Sequence, residues 1–316
     1  MSARIVVSNS SSIEVHPSFT TISKMYDAIL LDAYGVFWGS NATGPLPGAM
    51  EVMERLVANG KFVGILSNSN QLVSKEINKL HGHDLIQGKH FHFLITSGEV
   101  ARDIFLNQKF PFETPNNKFF LFGGIHPKYS SHELLFQNSV YTETNDINEA
   151  DFIYISIPHI NGEDQLEQDA FKEEIEKIRK KNLPMVCSNP DQFAHEGKPP
   201  RAVVRQGSIA FLYEKMGGYV FYIGKPYENA YSMAMNEFKR YNINNPYEIL
   251  MVGDTPETDI RGARRFGMAS ALVTQAGIMA DRISHQGFEN AINKLSPDDY
   301  PDYFIGRFID VFHTSP

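Results

Sequence analysis

Short apolar runs recur along the chain, and most of them stop at a small or polar residue. "AILL" runs into Asp32, "KFVGIL" into Ser67, "HFLI" into Thr96, "KFFLF" into Gly123, "PMVC" into Ser188, "YVFYI" into Gly224 and "EILMV" into Gly253, with "FIYIS" at 152–156. Amphipathic stretches lie between them. "PGAMEVMERLVANG" places Pro47 at a plausible first helical position and Gly60 at the stop. In "DQLEQDAFKEEIEKIRKK", Leu166, Ala170, Phe171, Ile175 and Ile178 share one helical face. Strands alternating with helices predict an α/β fold built on a parallel sheet. Ligands of such sheets bind beyond the carboxyl ends of the strands. Asp32, Ser67, Lys225 and Asp254, distant in sequence, are therefore candidates to meet in space.

With 316 residues, the chain is long enough for two compact units. Residues 100–205 carry their own alternation of elements and read as an inserted domain. A formal net charge of −8 argues against a general nucleic-acid surface. The lone cysteine, Cys187, permits no intrachain disulfide and suits a reducing compartment; its setting reads as a buried structural thiol. No apolar run approaches membrane-spanning length, and the first residues lack a leader pattern, so the expectation is a cytoplasmic protein without a membrane partner.

Four elements carry chemistry. Asp32 ends a strand before "AYGVFWG", where a carboxylate can attack phosphorus or carbon, or merely cap a turn. In "GILSNSN", the Ser67 hydroxyl and the Asn68 amide can hold an oxyanion, although both residue types also serve as turn and cap residues. Lys225 in "YIGKPYENAY" can neutralise a carboxylate and a bound phosphate together. The most specific element is "ILMVGDTPETDIRGARRFGM", in which Asp254 and Asp259 suit a hard cation such as magnesium, and Gly262, Ala263 and Gly267 allow close packing.

Taken in this order, the four elements resemble the haloacid dehalogenase (HAD) superfamily. "PGAMEVMERLVANGKFVGILSNSN", "ITSGEVARDIF", "CSNPDQFAHEGK", "RQGSIAFLYEKMGG" and "YIGKPYENAY" are similar to its class IIA, NagD-like phosphatases. The resemblance implies a Rossmann-like parallel-sheet core over 26–100 and 206–300 with an inserted α/β cap domain over 101–205. An N-terminal extension, 1–25, and a C-terminal tail, 301–316, flank them. It further implies a magnesium-dependent phosphohydrolase acting on a small phosphorylated metabolite. In that scheme Asp32 is the nucleophile, Ser67 the phosphate-binding hydroxyl and Lys225 the charge anchor. Asp32, Asp254 and the backbone carbonyl of Tyr34 would hold Mg2+, with Asp259 behind them. Asn68, Asn189 and Asp191 would face the substrate, near His195 and Lys198; Asn189 and Asp191 equally suit a turn around Pro190. The cap is also a surface through which such a chain can oligomerise.

Tyr34 departs from the family's phosphatases, which carry a second Asp there as general acid and base. A positioned acid or base contributes about a hundredfold to ten-thousandfold in rate, so weak turnover of alkyl phosphates is expected. "DAYG" itself resembles the metal-independent 2-haloacid dehalogenases, whose leaving halide needs no proton. Asp254, Asp259 and the interval between motifs favour phosphoryl chemistry over that reading. A phosphoryl-ligand sensor that keeps the site without turnover is the remaining alternative. Phe37 and Trp38 read as packing residues.

Overall fold

The computed structural model describes residues 18–40, 43–129, 132–196 and 201–308. Six parallel strands form the first sheet, in the order Tyr303–Ile305, Ala269–Val273, Ile249–Gly253, Ala28–Leu31, Phe62–Ser67, Phe93–Thr96. The central runs are apolar throughout because both faces of the sheet are covered. Side-chain alternation divides them. Leu30, Leu66, Ile95 and Met251 meet Ala101, Tyr231 and Phe238 on one side, whereas Ile29, Leu31, Ile65 and Val252 meet Val52, Met53 and Leu56 on the other. Leu31 stands opposite both Val252 and Ile65, so the Asp32, Asp254 and Ser67 segments leave the sheet at one edge.

A second parallel sheet runs in the order Val220–Tyr222, Met185–Cys187, Phe152–Ile155, Lys118–Phe122, Thr142–Thr144. Phe171, Ile175, Ile209 and Tyr213 from Gln168–Phe171, Lys172–Arg179 and Gln206–Lys215 cover one face. Its aromatic opposite side binds the two units together. Phe105, from the helix Ser97–Leu106 that follows the last strand of the first sheet, stacks on Phe136 at 4.3 Å, and Phe136 stacks on Phe119 at 4.1 Å. An antiparallel hairpin, Phe193–Glu196 with Arg201–Val204, follows the Cys187 strand.

The architecture is the expected one, a Rossmann-like parallel core with an α/β cap, but the details shift. Val220–Tyr222 is the edge strand of the second sheet and the helix Gln206–Lys215 packs on it, so the elements of that unit run to residue 222, past the expected 205. Residues 301–308 are not a free tail: Tyr303–Ile305 is the sixth core strand, and the Phe308 ring lies 4.8 Å from that of Phe19 in the helix Phe19–Ser23. The described part of the expected N-terminal extension is thereby packed on the core, with Phe19 and Ile22 buried. Leu166 and Ala170 are exposed, because the helical segment opens only at Gln168 and turns Phe171, Ile175 and Ile178 inward. Gly48, not Pro47, caps the helix Ala49–Ala58, and Gly60 follows its end with φ +77°. Among the described residues, no helix is long and apolar enough to cross a membrane.

Candidate active site

Asp32 is the first residue beyond its strand, with its N–H donated to the Val252 carbonyl at 2.9 Å. A tight turn follows: Trp38 N–H returns to the Ala33 carbonyl at 2.9 Å, and Gly35 N–H to the Trp38 carbonyl at 2.8 Å. Gly35 adopts φ +75°, and a Cβ there would stand 2.3 Å from Asp254 Oδ2, so only glycine lets the Asp32 loop approach Asp254 this closely. Phe37 and Trp38 are fully buried and pack, as expected.

Lys225, almost wholly buried, donates from Nζ to Asp32 Oδ1 at 2.5 Å and to Asp259 Oδ1 at 2.6 Å. Burial disfavours its charge, but Asp259, Asp32 and Asp191 outweigh burial and hold the ammonium above its ordinary range. Asp259 turns its other oxygen to the N–H groups of Asp254 and Thr255, both at 3.1 Å. It sits in a π-helical turn, Pro256–Ile260, that leads into the helix Arg261–Phe266. Gly253 admits this fold-back, because a Cβ there would lie 2.2 Å from that of Asp259.

Asp254 accepts from Thr255 Oγ1 at 2.9 Å and from Ile278 N–H at 2.7 Å. Gly277, at φ +67°, presses on the same carboxylate. Burial first, and then the charge of Asp259, push the Asp254 pKa up to about 7. Burial likewise raises Asp32 well above the usual carboxylate range, with Lys225 opposing.

Oxygens of Asp32, Asp254 and Asp259 lie within 4.8 Å of one another. Three buried carboxylates against one ammonium leave an excess of negative charge that a divalent cation offsets. The donors are hard oxygens, as magnesium or calcium requires. The cradle formed by Gly35 and Gly277 brings the Tyr34–Gly35 peptide alongside Asp254. The residues present fit such an ion.

Ser67 ends its strand, buried, with its Oγ accepting from Ser69 N–H at 3.2 Å. The Asn68 side chain clamps the Lys225 peptide: Oδ1 accepts from Lys225 N–H at 2.7 Å, and Nδ2 donates to the Lys225 carbonyl at 3.2 Å. The same Nδ2 donates to Asp191 Oδ1 at 2.8 Å, joining the cap loop to the core. Asn189 forms the turn around Pro190, its Oδ1 accepting from Asp191 N–H at 3.0 Å. Burial raises the Asp191 pKa, opposed by Lys225 and Asn68. Cys187 is fully buried, and burial pushes its thiol far above the reactive range. His195 lies in the hairpin strand Phe193–Glu196; Lys198 falls outside the described residues.

Sequence reasoning missed the network on Tyr34. Lys79 Nζ, on the helix Val73–His81, donates to the Tyr34 hydroxyl at 3.3 Å, pairs with Glu76 and stands 5.1 Å from the centre of the Trp38 ring. Glu76 in turn accepts from Ser69 Oγ at 2.8 Å. Burial raises the Tyr34 pKa while Lys79 opposes it, so the phenol is neutral at physiological pH. The only trace in the sequence is a Glu76–Lys79 pair at helical spacing, which usually marks a solvated face.

Residues 222–302 match the family model described as HAD-hydrolase-like. The chain superposes on a haloacid dehalogenase-like hydrolase from Brucella suis 1330 with TM-score 0.75 and 20% identity, over 93% of this chain and 100% of that one. It superposes on the 4-nitrophenylphosphatase of Thermotoga maritima with TM-score 0.61 and 20% identity, over 91% and 96%. NagD from E. coli K-12 gives 0.57 and 19%, over 90% and 99%. A Schizosaccharomyces pombe cardiolipin synthase (CMP-forming)/mitochondrial hydrolase fusion protein is 49% identical over 55 residues, 16% of this chain. That segment spans only 9% of the fusion protein's length. The HAD-hydrolase-like match is thus confined to the last part of the core, and the fold of the whole chain is that of the NagD-like structures.

Proposed function

We propose that the chain is a magnesium-dependent phosphohydrolase acting on a small phosphate ester through an aspartyl-phosphate at Asp32. The observation that carries this reading is the convergence of Asp32, Asp254 and Asp259 around the Lys225 ammonium at the shared edge of the core strands. A phosphatase name among the structural neighbours supports it. A metal-independent dehalogenase has no use for the two further buried carboxylates.

Asp32 attacks phosphorus and displaces the alcohol; water then cleaves the acyl phosphate and regenerates the carboxylate. Lys225 holds Asp32 in place and faces the charge that develops on the transferring group. The Ser67 hydroxyl and the Asn68 backbone amide receive phosphoryl oxygens. Bound by Asp32, Asp254 and the Tyr34 carbonyl, magnesium would supply charge neutralisation. Asp259 keeps Lys225 and the Asp254 backbone in register. Since the Tyr34 phenol is a far weaker acid than a carboxyl, activated leaving groups, which depart without a proton, are turned over faster than alkyl ones. Asp191 closes the cap loop on this edge, and the partner is a small phosphorylated metabolite. The single buried cysteine fits a reducing, cytoplasmic setting.

Hydrolysis of p-nitrophenyl phosphate by wild type and Asp32→Asn, each with magnesium and with excess EDTA, tests the reading. Turnover that needs both Asp32 and magnesium is expected. Metal-dependent ligand binding without turnover across many esters replaces it with a phosphoryl-ligand sensor. Halide release from 2-chloropropionate in EDTA replaces it with a dehalogenase.

A further inference from the structure

The two parallel sheets turn their carboxyl edges towards each other. From the second sheet, Lys225 reaches Asp32 three residues past Tyr222, and Asp191 reaches Asn68 four residues past Cys187. The Asp191 loop is tied to the hairpin and to the Asp164 segment: Arg205 N–H donates to the Gln192 carbonyl at 2.8 Å, and Val204 N–H to the Gln165 carbonyl at 2.7 Å. The hairpin Phe193–Glu196/Arg201–Val204 thus stands beside the loop that meets Asn68, and the charge of its Glu196 adds to burial in raising the Tyr34 pKa.

A charged cluster is built into this edge. Arg205, 5% exposed, donates to Asp164 Oδ1 at 2.8 Å, to Glu196 Oε1 at 3.1 Å and to the Tyr129 hydroxyl at 3.3 Å. The side chain of Glu196 keeps 30% of its surface exposed. Two carboxylates share one guanidinium, leaving one negative charge in excess. The other buried Lys or Arg among the described residues, Lys225, is likewise held by two carboxylates. An unpaired donor stands beside the cluster. His126, 3% exposed, accepts Lys128 N–H at Nδ1, which puts its ring proton on Nε2. That Nε2 has no hydrogen-bond partner and lies 3.7 Å from Asp164 Oδ1. A buried donor without a partner marks a place where an acceptor from a ligand is wanted.

We propose, resting on the phosphohydrolase reading, that Glu196, with Asp164 and His126, selects the leaving alcohol: one that brings hydrogen-bond donors and no second negative charge. An ammonium or hydroxyl of the substrate donates to Glu196, and a hydroxyl can also accept from His126 Nε2. A carboxylate or second phosphate there meets the excess charge with both buried cations already engaged; like charges so placed are strongly discriminated against.

The test is kcat/KM, with magnesium, for phosphoethanolamine, glycerol 1-phosphate, propyl phosphate and 2-phosphoglycolate, on wild type, Glu196→Gln and Glu196→Lys. Wild type should prefer the amine or the hydroxyl ester to phosphoglycolate by about tenfold or more, with propyl phosphate between. The preference should narrow in Glu196→Gln and invert in Glu196→Lys. These ratios are internal to each protein, so a loss of folded enzyme cancels. If both variants fail to fold, the wild-type order alone decides. Phosphoglycolate used as well as or better than the donor-bearing esters overturns the selectivity and leaves the phosphohydrolase reading standing. If wild type hydrolyses none of these alkyl esters, p-nitrophenyl phosphate decides the hydrolase reading separately, and calorimetric binding of the same four compounds to wild type tests the selectivity alone. Phosphoglycolate bound as tightly as the others then overturns it.

Discussion

Lys225 Nζ bridges Asp32 Oδ1 and Asp259 Oδ1, at 2.5 and 2.6 Å, at the centre of a site with no exposed carboxylate. Removing one partner of a buried ion pair leaves an unneutralised charge, at a typical cost of about 3–5 kcal/mol. Lys225→Met is therefore expected to lower the urea midpoint markedly and to abolish phosphatase activity. The stability deficit should shrink with added magnesium, which supplies the missing positive charge. A midpoint unchanged from wild type would show that the ammonium is not what offsets these carboxylates.

The Asp254 carboxyl, pushed up to about 7, gives the metal-free protein an unusual pH profile. Its folded pKa lies above the unfolded value of 3.8, so the folded state binds the extra proton between the two. This group's contribution thus opposes folding above pH 7, and the opposition fades as the pH falls towards 4. In EDTA, wild type should gain stability relative to Asp254→Asn as the pH drops from 8 to 5. Magnesium should flatten that difference by holding the carboxylate ionised. Parallel profiles for the two proteins in EDTA would place the titration elsewhere.

Gly277 sits with φ +67°, and a Cβ there would fall 1.8 Å from Asp254 Oδ2. Gly277→Ala must displace that carboxylate or its own backbone, although no chemical group of the proposed mechanism is lost. The expected result is weaker magnesium binding at saturating substrate, with the metal concentration for half-maximal activity raised about tenfold or more, in line with losses of supporting contacts around metal ligands. An unchanged metal titration in a folded variant would separate Asp254 from metal binding.

Asn68 spends its side chain on the Lys225 peptide and on Asp191, three hydrogen bonds in all. Asn68→Ala leaves the buried Lys225 N–H without its acceptor, a defect worth about 1–3 kcal/mol. It also frees the cap loop from the core. Stability should fall by that order, and KM should rise more than kcat falls, because Asp191 no longer closes the cleft. Equal losses in kcat and kcat/KM would instead assign Asn68 to the transition state alone.

The alternation of apolar runs and amphipathic stretches was enough to read the parallel core, since strands buried on both faces write themselves as continuous apolar segments. Asp32, Ser67, Lys225, Asp254 and Asp259 were legible because each stands at a strand end or just beyond one, and the structure brings them to one edge. Their partners were not. Gly277 and Ile278 reach Asp254 from a helix start with no distinctive composition, and Lys79 reaches Tyr34 from what looks like a solvated helix face. Tyr303–Ile305 has three residues, too few for a period to show, and its role comes from pairing with Ala269–Val273. The cap's true extent depends on Val220–Tyr222 pairing with Met185–Cys187, a long-range register that local pattern does not encode.

Tyr34 stands where the resemblance implies a second Asp, and the structure shows its phenol held by Lys79 at 3.3 Å. Burial raises its pKa, so it keeps its proton and lacks the basicity to activate water. Replacing it with Asp places a carboxyl two residues after Asp32, the proposed nucleophile. Tyr34→Asp is thus expected to raise kcat/KM for alkyl phosphates by about a hundredfold or more while changing that for p-nitrophenyl phosphate much less, since nitrophenolate leaves without a proton. Tyr34→Phe separates the hydroxyl from the ring: it removes the acceptor for Lys79 and keeps the packing. If the hydroxyl donates no proton, Tyr34→Phe retains the wild-type ratio of aryl to alkyl turnover. A fall in alkyl turnover alone would identify the phenol, neutral and oriented by Lys79, as the acid that replaces the missing carboxyl.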